Sequence, residues 1–90
     1  MIEGMKEAVV KIFVKDGCPQ CPLAKELGEK LARLGKHIEV HNIAEVKGLS
    51  EAVVHEIFCA PSVVIAGPDN KEIAAWRCKT PAFEEIKDFL

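Results

Sequence analysis

The sequence predicts an α/β domain with the order β-α-β-α-β-β-α, a four-stranded mixed sheet with three helices. Three observations carry this. Apolar runs rich in β-branched residues alternate with segments of helical period along the first two thirds of the chain. A Gly67-Pro68-Asp69-Asn70 turn joins two such runs near the end. Ninety residues, 49% of them apolar and 29% charged, are enough for one globular domain and not for two.

Residues 1–7 read as a short leader to a single domain spanning 1–90. "EAVVKIFVKD" is almost continuously apolar apart from Lys11, which suits a central strand buried on both faces. Asp16-Gly17 ends it. "CPLAKELGEKLARLGK" follows, with Leu23, Leu27, Leu31 and Leu34 spaced as one helical stripe and Gly35 as the stop. Gly28 inside that helix costs about 1 kcal/mol relative to alanine, which close packing against the sheet would explain.

"HIEVHNI" alternates Ile38 and Val40 with polar neighbours, as a strand near a sheet edge does. Leu49, Val53 and Ile57 predict a second helix. "PSVVIA" is a third strand, and "KEIAAWR" is its hairpin partner across the Gly67 turn. Thr80 and Pro81 read as the cap and first residue of a last helix with Phe83, Ile86, Phe89 and Leu90 on its apolar face. The first β-α-β must be a parallel pair with a right-handed crossover, and the last two strands an antiparallel hairpin.

Charge narrows the function classes. Twelve basic and fourteen acidic residues leave a formal charge of −2, with no basic block to hold nucleic acid or an anionic membrane. The N-terminus carries no export signal and no stretch is long enough to span a bilayer. The expected compartment is the cytoplasm, where structural disulfides are rare, so four cysteines point to catalysis or metal binding.

Cys18 and Cys21, in "DGCPQCPL", lie between the first strand and the first helix. Three readings are open: a redox pair, half of a metal site, or two small core residues. The position favours the first. Free N–H groups and the positive end of the helix dipole stabilise a thiolate there by ~0.3–1 kcal/mol, which lowers the thiol pKa and supplies the attacking species. Cys21, one turn on, would resolve the mixed disulfide formed by Cys18. A zinc site needs four ligands, usually from two such pairs, and no second pair with that spacing exists. His37, His41 and His55 read as solvated or hydrogen-bonded side chains. Lys15 and Asp16 read as a solvated strand end, and Trp76 as core.

The element order, with Cys-Pro-x-Cys at the first strand-to-helix junction, resembles the thioredoxin-fold superfamily in its compact glutaredoxin form. The resemblance extends from about Val9 to Leu90. Pro61 stands where that family keeps a cis-proline beside the redox pair. Trp76 to Pro81 resembles the Trp-Ser-Gly-Phe-Arg-Pro of redoxins that donate electrons to ribonucleotide reductase, with Trp and Pro at the same spacing, and Gln20 between the cysteines is common in that subgroup.

The resemblance implies a thiol–disulfide oxidoreductase with Cys18 and Cys21 catalytic and with Pro19, Gln20, Ala60 and Pro61 contacting substrate. It implies a monomer with no cofactor beyond the Cys18–Cys21 disulfide. Cys59-Ala60-Pro61 and Arg77-Cys78 replace the Thr-Val-Pro and Gly-Gly with which glutaredoxins hold glutathione. A thioredoxin-reductase-like flavoenzyme is therefore the implied reductant, with flavin only in that partner, and protein disulfides, including that of ribonucleotide reductase, the implied acceptors.

Cys59 and Cys78 belong to neither pattern. If the third strand is antiparallel to the first, as in this family, all four cysteines converge on one end of the sheet. Three roles are open for the extra two: small buried hydrophobes, a second redox pair, or, with Cys18 and Cys21, a four-thiolate metal or iron–sulfur site. The expectation is that Cys59 lies near Cys18, Cys78 at the same end, and that no metal is bound.

Overall fold

The structure is a computed structural model and describes residues 8–90; the expected leader, 1–7, lies outside the described residues. Strand β1 (Val9–Val14), helix α1 (Cys21–Arg33), β2 (His37–Asn42), α2 (Val46–Val54), β3 (Ser62–Ala66), β4 (Glu72–Trp76) and α3 (Phe83–Ile86) follow in the expected order. A 3-10 turn, Lys87–Phe89, extends α3. The sheet order is β2-β1-β3-β4. β1 runs parallel to β2 and antiparallel to β3, and β3 and β4 form the hairpin.

The two central strands, β1 and β3, are buried almost throughout. Their alternate residues feed two cores, because successive side chains point to opposite faces. Val10, Ile12 and Val14 pack with Cys21, Ala24, Leu27, Leu31, Val63, Ile65, Trp76 and Ile86 on the α1 and α3 face. Phe13 and Val64 pack with Ala52 and Ile57 on the α2 face.

Three sequence expectations need correction. In α1 the buried face is Cys21, Ala24, Leu27, Gly28 and Leu31; Leu23 and Leu34 are each 56% exposed. The 3.6-residue period centres the stripe on small residues because the helix lies close to the sheet. A Cβ at Gly28 would stand 2.6 Å from Cδ1 of Ile12 and 3.4 Å from Cγ2 of Ile38. In α2 the same thing happens: Gly48 and Ala52 face inward, Leu49 and Val53 face out, and Ile57 lies beyond the helix end. The last helix begins at Phe83 with Ala82 as its cap, not at Thr80-Pro81. There the Glu85 carboxylate accepts the Ala82 N–H at 3.1 Å, while the buried Thr80 hydroxyl has no partner among the described residues.

Gly35 ends α1 as expected. It takes φ 86°, its N–H reaches the Ala32 carbonyl at 3.0 Å, and the Lys36 N–H reaches that of Leu31 at 3.1 Å. A left-handed residue here satisfies carbonyls that the helix end would leave unpaired.

Candidate functional site

β1 delivers the chain to the site. Beyond Val14 it leaves the sheet through exposed Lys15 and Asp16 and turns at Gly17, whose φ of 74° suits glycine. The Asp16 carboxylate accepts from the Asn42 amide at 3.4 Å, tying this loop to β2. Cys18 then opens a tight turn in which the Cys21 N–H donates to its carbonyl at 3.3 Å.

Cys21 is the first residue of α1, with Gln20 as N-cap. The helix therefore starts one turn later than a start at Cys18 would give, and Pro19 lies in the turn ahead of it. Pro22 sits within the first turn, where its missing N–H has no helical partner to lose.

Cys18 and Cys21 are disulfide-bonded, with α-carbons 5.4 Å apart, inside the range a disulfide spans. The two sulfurs' residues differ in access. Cys21 is 3% exposed and belongs to the core. Cys18 is half-buried at the edge of that core. Lys15, Asp16, Gly17, Pro19, Pro22 and Lys25 line a shallow cleft around the pair. No acidic side chain occupies the first turn of α1, so the helix N-terminus, Lys15 and Lys25 favour an anion in the cleft, opposed by the Asp16 carboxylate on the same lining.

The segment before β3 reaches the same end of the sheet. Ser62 pairs with Phe13, so Pro61 stands level with the end of β1. The Ala60-Pro61 peptide is cis, Pro61 is buried, and Ala60 packs against the same core cluster as Cys18. Of the four residues expected to contact substrate, Pro19 lines the cleft, Ala60 and Pro61 lie at the same end of the sheet but outside the cleft lining, and Gln20 is exposed outside it.

Cys59 and Cys78 do come to this end of the sheet. Cys59 precedes β3, Cys78 follows β4, and the antiparallel register places both beyond the Val63–Trp76 pair. They form a second disulfide, with α-carbons 5.3 Å apart. They are not small buried hydrophobes: Cys59 is half-buried and Cys78 is exposed. Among the described residues, no group of three or more His, Cys, Asp and Glu side chains meets in a metal-binding arrangement. Trp76 lies in the core with its ring edge-on to Phe89 at 5.6 Å.

Two features had weak signals in the sequence. Ser62 is the polar residue in the apolar "PSVVIA" run. Its buried hydroxyl donates to the Cys59 carbonyl at 2.8 Å and accepts the Cys78 N–H at 2.9 Å. Lys11 is the single charge inside β1. Its side chain crosses under α2 to Glu51, His55 and the Asn70 side chain of the hairpin turn.

Comparison with known proteins follows the same lines. No protein-family model matches the chain. It is 29% identical over 87 residues to a thioredoxin of Methanocaldococcus jannaschii, covering 96% of this chain and all of that one. Its structure superimposes on a thioredoxin variant of Halobacterium salinarum with TM-score 0.77 and 19% identity, over 92% of this chain and 71% of the other. Thioredoxin 1 of Thermosipho africanus gives TM-score 0.71 and 21% identity, over 89% and 86% of the two chains.

Proposed function

This chain has the thioredoxin fold, and from that premise we propose that it is a thiol–disulfide oxidoreductase that reduces protein disulfides through Cys18 and Cys21. The observation that carries the reading is the unequal exposure of two cysteines 5.4 Å apart at a helix N-terminus. In the reduced chain the Cys18 thiolate attacks a substrate disulfide. A mixed disulfide forms and one substrate thiolate leaves. Cys21, held behind Cys18 by the first turn of α1, then attacks the Cys18 sulfur as a thiolate. The second substrate thiolate leaves, and the chain retains the Cys18–Cys21 disulfide. Two electrons pass to the substrate. Cleft access assigns the order, because a substrate sulfur reaches Cys18 without displacing core atoms and cannot so reach Cys21.

The finer reading is a cytoplasmic redoxin recharged by a thioredoxin-reductase-like flavoenzyme. Its acceptors are protein disulfides, among them that of a ribonucleotide reductase. The support is Arg77-Cys78 and Cys59-Ala60-Pro61 in place of glutathione contacts, together with Trp76 and Pro81 at the redoxin spacing. Among the described residues, no helix is long and apolar enough to cross a membrane.

Insulin reduction with two recharging systems tests both levels. Turnover with thioredoxin reductase that exceeds turnover with glutathione and glutathione reductase is expected. Efficient glutathione-driven turnover without response to the flavoenzyme would overturn the finer reading. No turnover with either system, or with dithiothreitol, would overturn the activity itself.

A further inference from the structure

We infer that Cys59 and Cys78 form a second thiol–disulfide couple, which opens and closes in the folded chain by exchange with an external dithiol at Cys78. The chain then carries four exchangeable electrons rather than two.

The argument starts from what holds the two residues together when the S–S bond is absent. β3 and β4 are paired from Val63–Trp76 onward. Beyond that ladder, the Ser62 hydroxyl joins the Cys59 carbonyl to the Cys78 N–H. This link uses backbone groups and a buried hydroxyl, not sulfur. Reduction therefore leaves the two thiols adjacent, and closing the bond again is an intramolecular step with little chain entropy to lose. A couple that cycles needs that arrangement. The α-carbons, 5.3 Å apart, already stand at bonding separation.

Access is the second observation. Cys78 is exposed and lies between Arg77 and Lys79, both exposed. The Arg77 guanidinium is engaged by Glu72 and by the His55 and Glu56 carbonyls, so Lys79 is the cation left to attract an incoming thiolate. Cys78 takes φ 65°, a left-handed conformation uncommon for a non-glycine residue. It places Cys78 at the corner of the turn leaving β4 instead of in the sheet.

The exchange balances with a dithiol as reductant. One thiolate of the dithiol attacks the Cys78 sulfur; a mixed disulfide forms and Cys59 leaves as a thiolate that takes a proton from solvent. The second thiolate of the dithiol attacks its own partner sulfur. Cys78 leaves as a thiolate and the dithiol departs as a disulfide. Two electrons have moved to the Cys59–Cys78 pair.

Dithiothreitol is the probe, with the full chain carrying Cys18→Ser and Cys21→Ser so that only the second pair reports. The folded protein is treated, alkylated with iodoacetamide without denaturant, and weighed. Two modified cysteines are expected, against none before treatment, with a single two-electron transition across a series of reduced-to-oxidised dithiothreitol ratios. Peptide mapping of the treated wild-type chain should place label on both Cys59 and Cys78, which covers a variant that folds poorly. Label that enters Cys59 and Cys78 only after denaturation would overturn the inference and leave the bond a staple. So would thiols that fail to re-pair in the folded chain. The thiol count is independent of whether Cys18 and Cys21 reduce insulin, so this inference and the proposed function fail separately.

Discussion

The side-chain nitrogen of Lys11 lies 3.2 Å from Nε2 of His55, and both side chains are almost fully buried, at 5% and 4% residue exposure. The contact joins the middle of β1 to the end of α2. Glu51, one turn before His55, completes an ion pair with Lys11, and the Asn70 side-chain oxygen Oδ1 accepts from the same ammonium. A buried ammonium needs such partners, since desolvation without them costs several kcal/mol.

Acid should destabilise the protein through this cluster. Burial, then the Lys11 charge, pushes the His55 pKa down from its usual 6.5. The hydrogen bond from Lys11 holds the Glu51 carboxyl below its usual 4.5, against a smaller upward effect of burial. In both cases the unfolded chain binds a proton at a pH where the folded chain does not, so stability rises with pH. The loss on acidification should begin near pH 6.5, where unfolded His55 protonates, and deepen below 4.5, where unfolded Glu51 does. Urea midpoints measured from pH 8 to 4 check this, and His55→Gln should flatten the upper part of the curve. A midpoint that stays level between pH 7 and 5 in the wild type would show that His55 is not held neutral.

Cys18→Ser should abolish disulfide reduction, because the accessible nucleophile is gone. Cys21→Ser should still attack but fail to resolve. With an insulin-like substrate it should accumulate a mixed disulfide that runs as a heavier species on a non-reducing gel and collapses with dithiothreitol. Normal turnover by the Cys18 variant would reverse the assignment of the two sulfurs.

Gly48→Ala should be costly although it exchanges one small helix residue for a better helix former. The added Cβ would overlap the backbone of Asn42 at the end of β2, and backbone cannot rotate away as a side chain can. Overpacking of this kind costs about 1–3 kcal/mol, and the upper end is expected. For a domain of this size each kcal/mol lowers Tm by about 4–8 °C, so a thermal melt reads it directly. A variant with an unchanged Tm would mean that α2 can move off β2 freely.

The sequence was legible wherever a period or a turn residue acts locally. β1 and β3 stood out because both faces are buried, the hairpin because Gly67 to Asn70 turns the chain, and Cys18 and Cys21 because their spacing spans one helical turn. What escaped was set by contacts between distant segments. Leu23, Leu34, Leu49 and Val53 look like core by type, yet α1 and α2 approach the sheet on glycine and alanine, which turns the leucines and valines outward. Thr80 looks like a cap, yet the helix is capped two residues later, at extended Ala82. Lys11 lay in plain view as a charge within a buried strand. Its partners come from residues 40, 44 and 59 positions away, which no local pattern marks. The same holds for Cys59 and Cys78: topology brought them to one end, but only the register and the Ser62 bridge set them opposite each other.

The closeness of α1 to β1 at Gly28 has a mechanical side. Gly28 lies seven residues from Cys21, about 10 Å along the helix at 1.5 Å per residue. The helix rests there almost directly on Ile12, so that contact acts as a fulcrum, with the redox turn at the far end of the arm. Cδ1 of Ile12 and Cγ2 of Ile38 are side-chain ends that can swing aside for an alanine, but a branched side chain at 28 would tip the arm and carry Cys21 relative to Pro61 without touching either. Gly28→Val should therefore slow resolution of the mixed disulfide, a step requiring close approach of two sulfurs, more than it slows the first attack by half-buried Cys18. Stopped-flow traces that separate the two steps would read the thickness of one glycine as a rate.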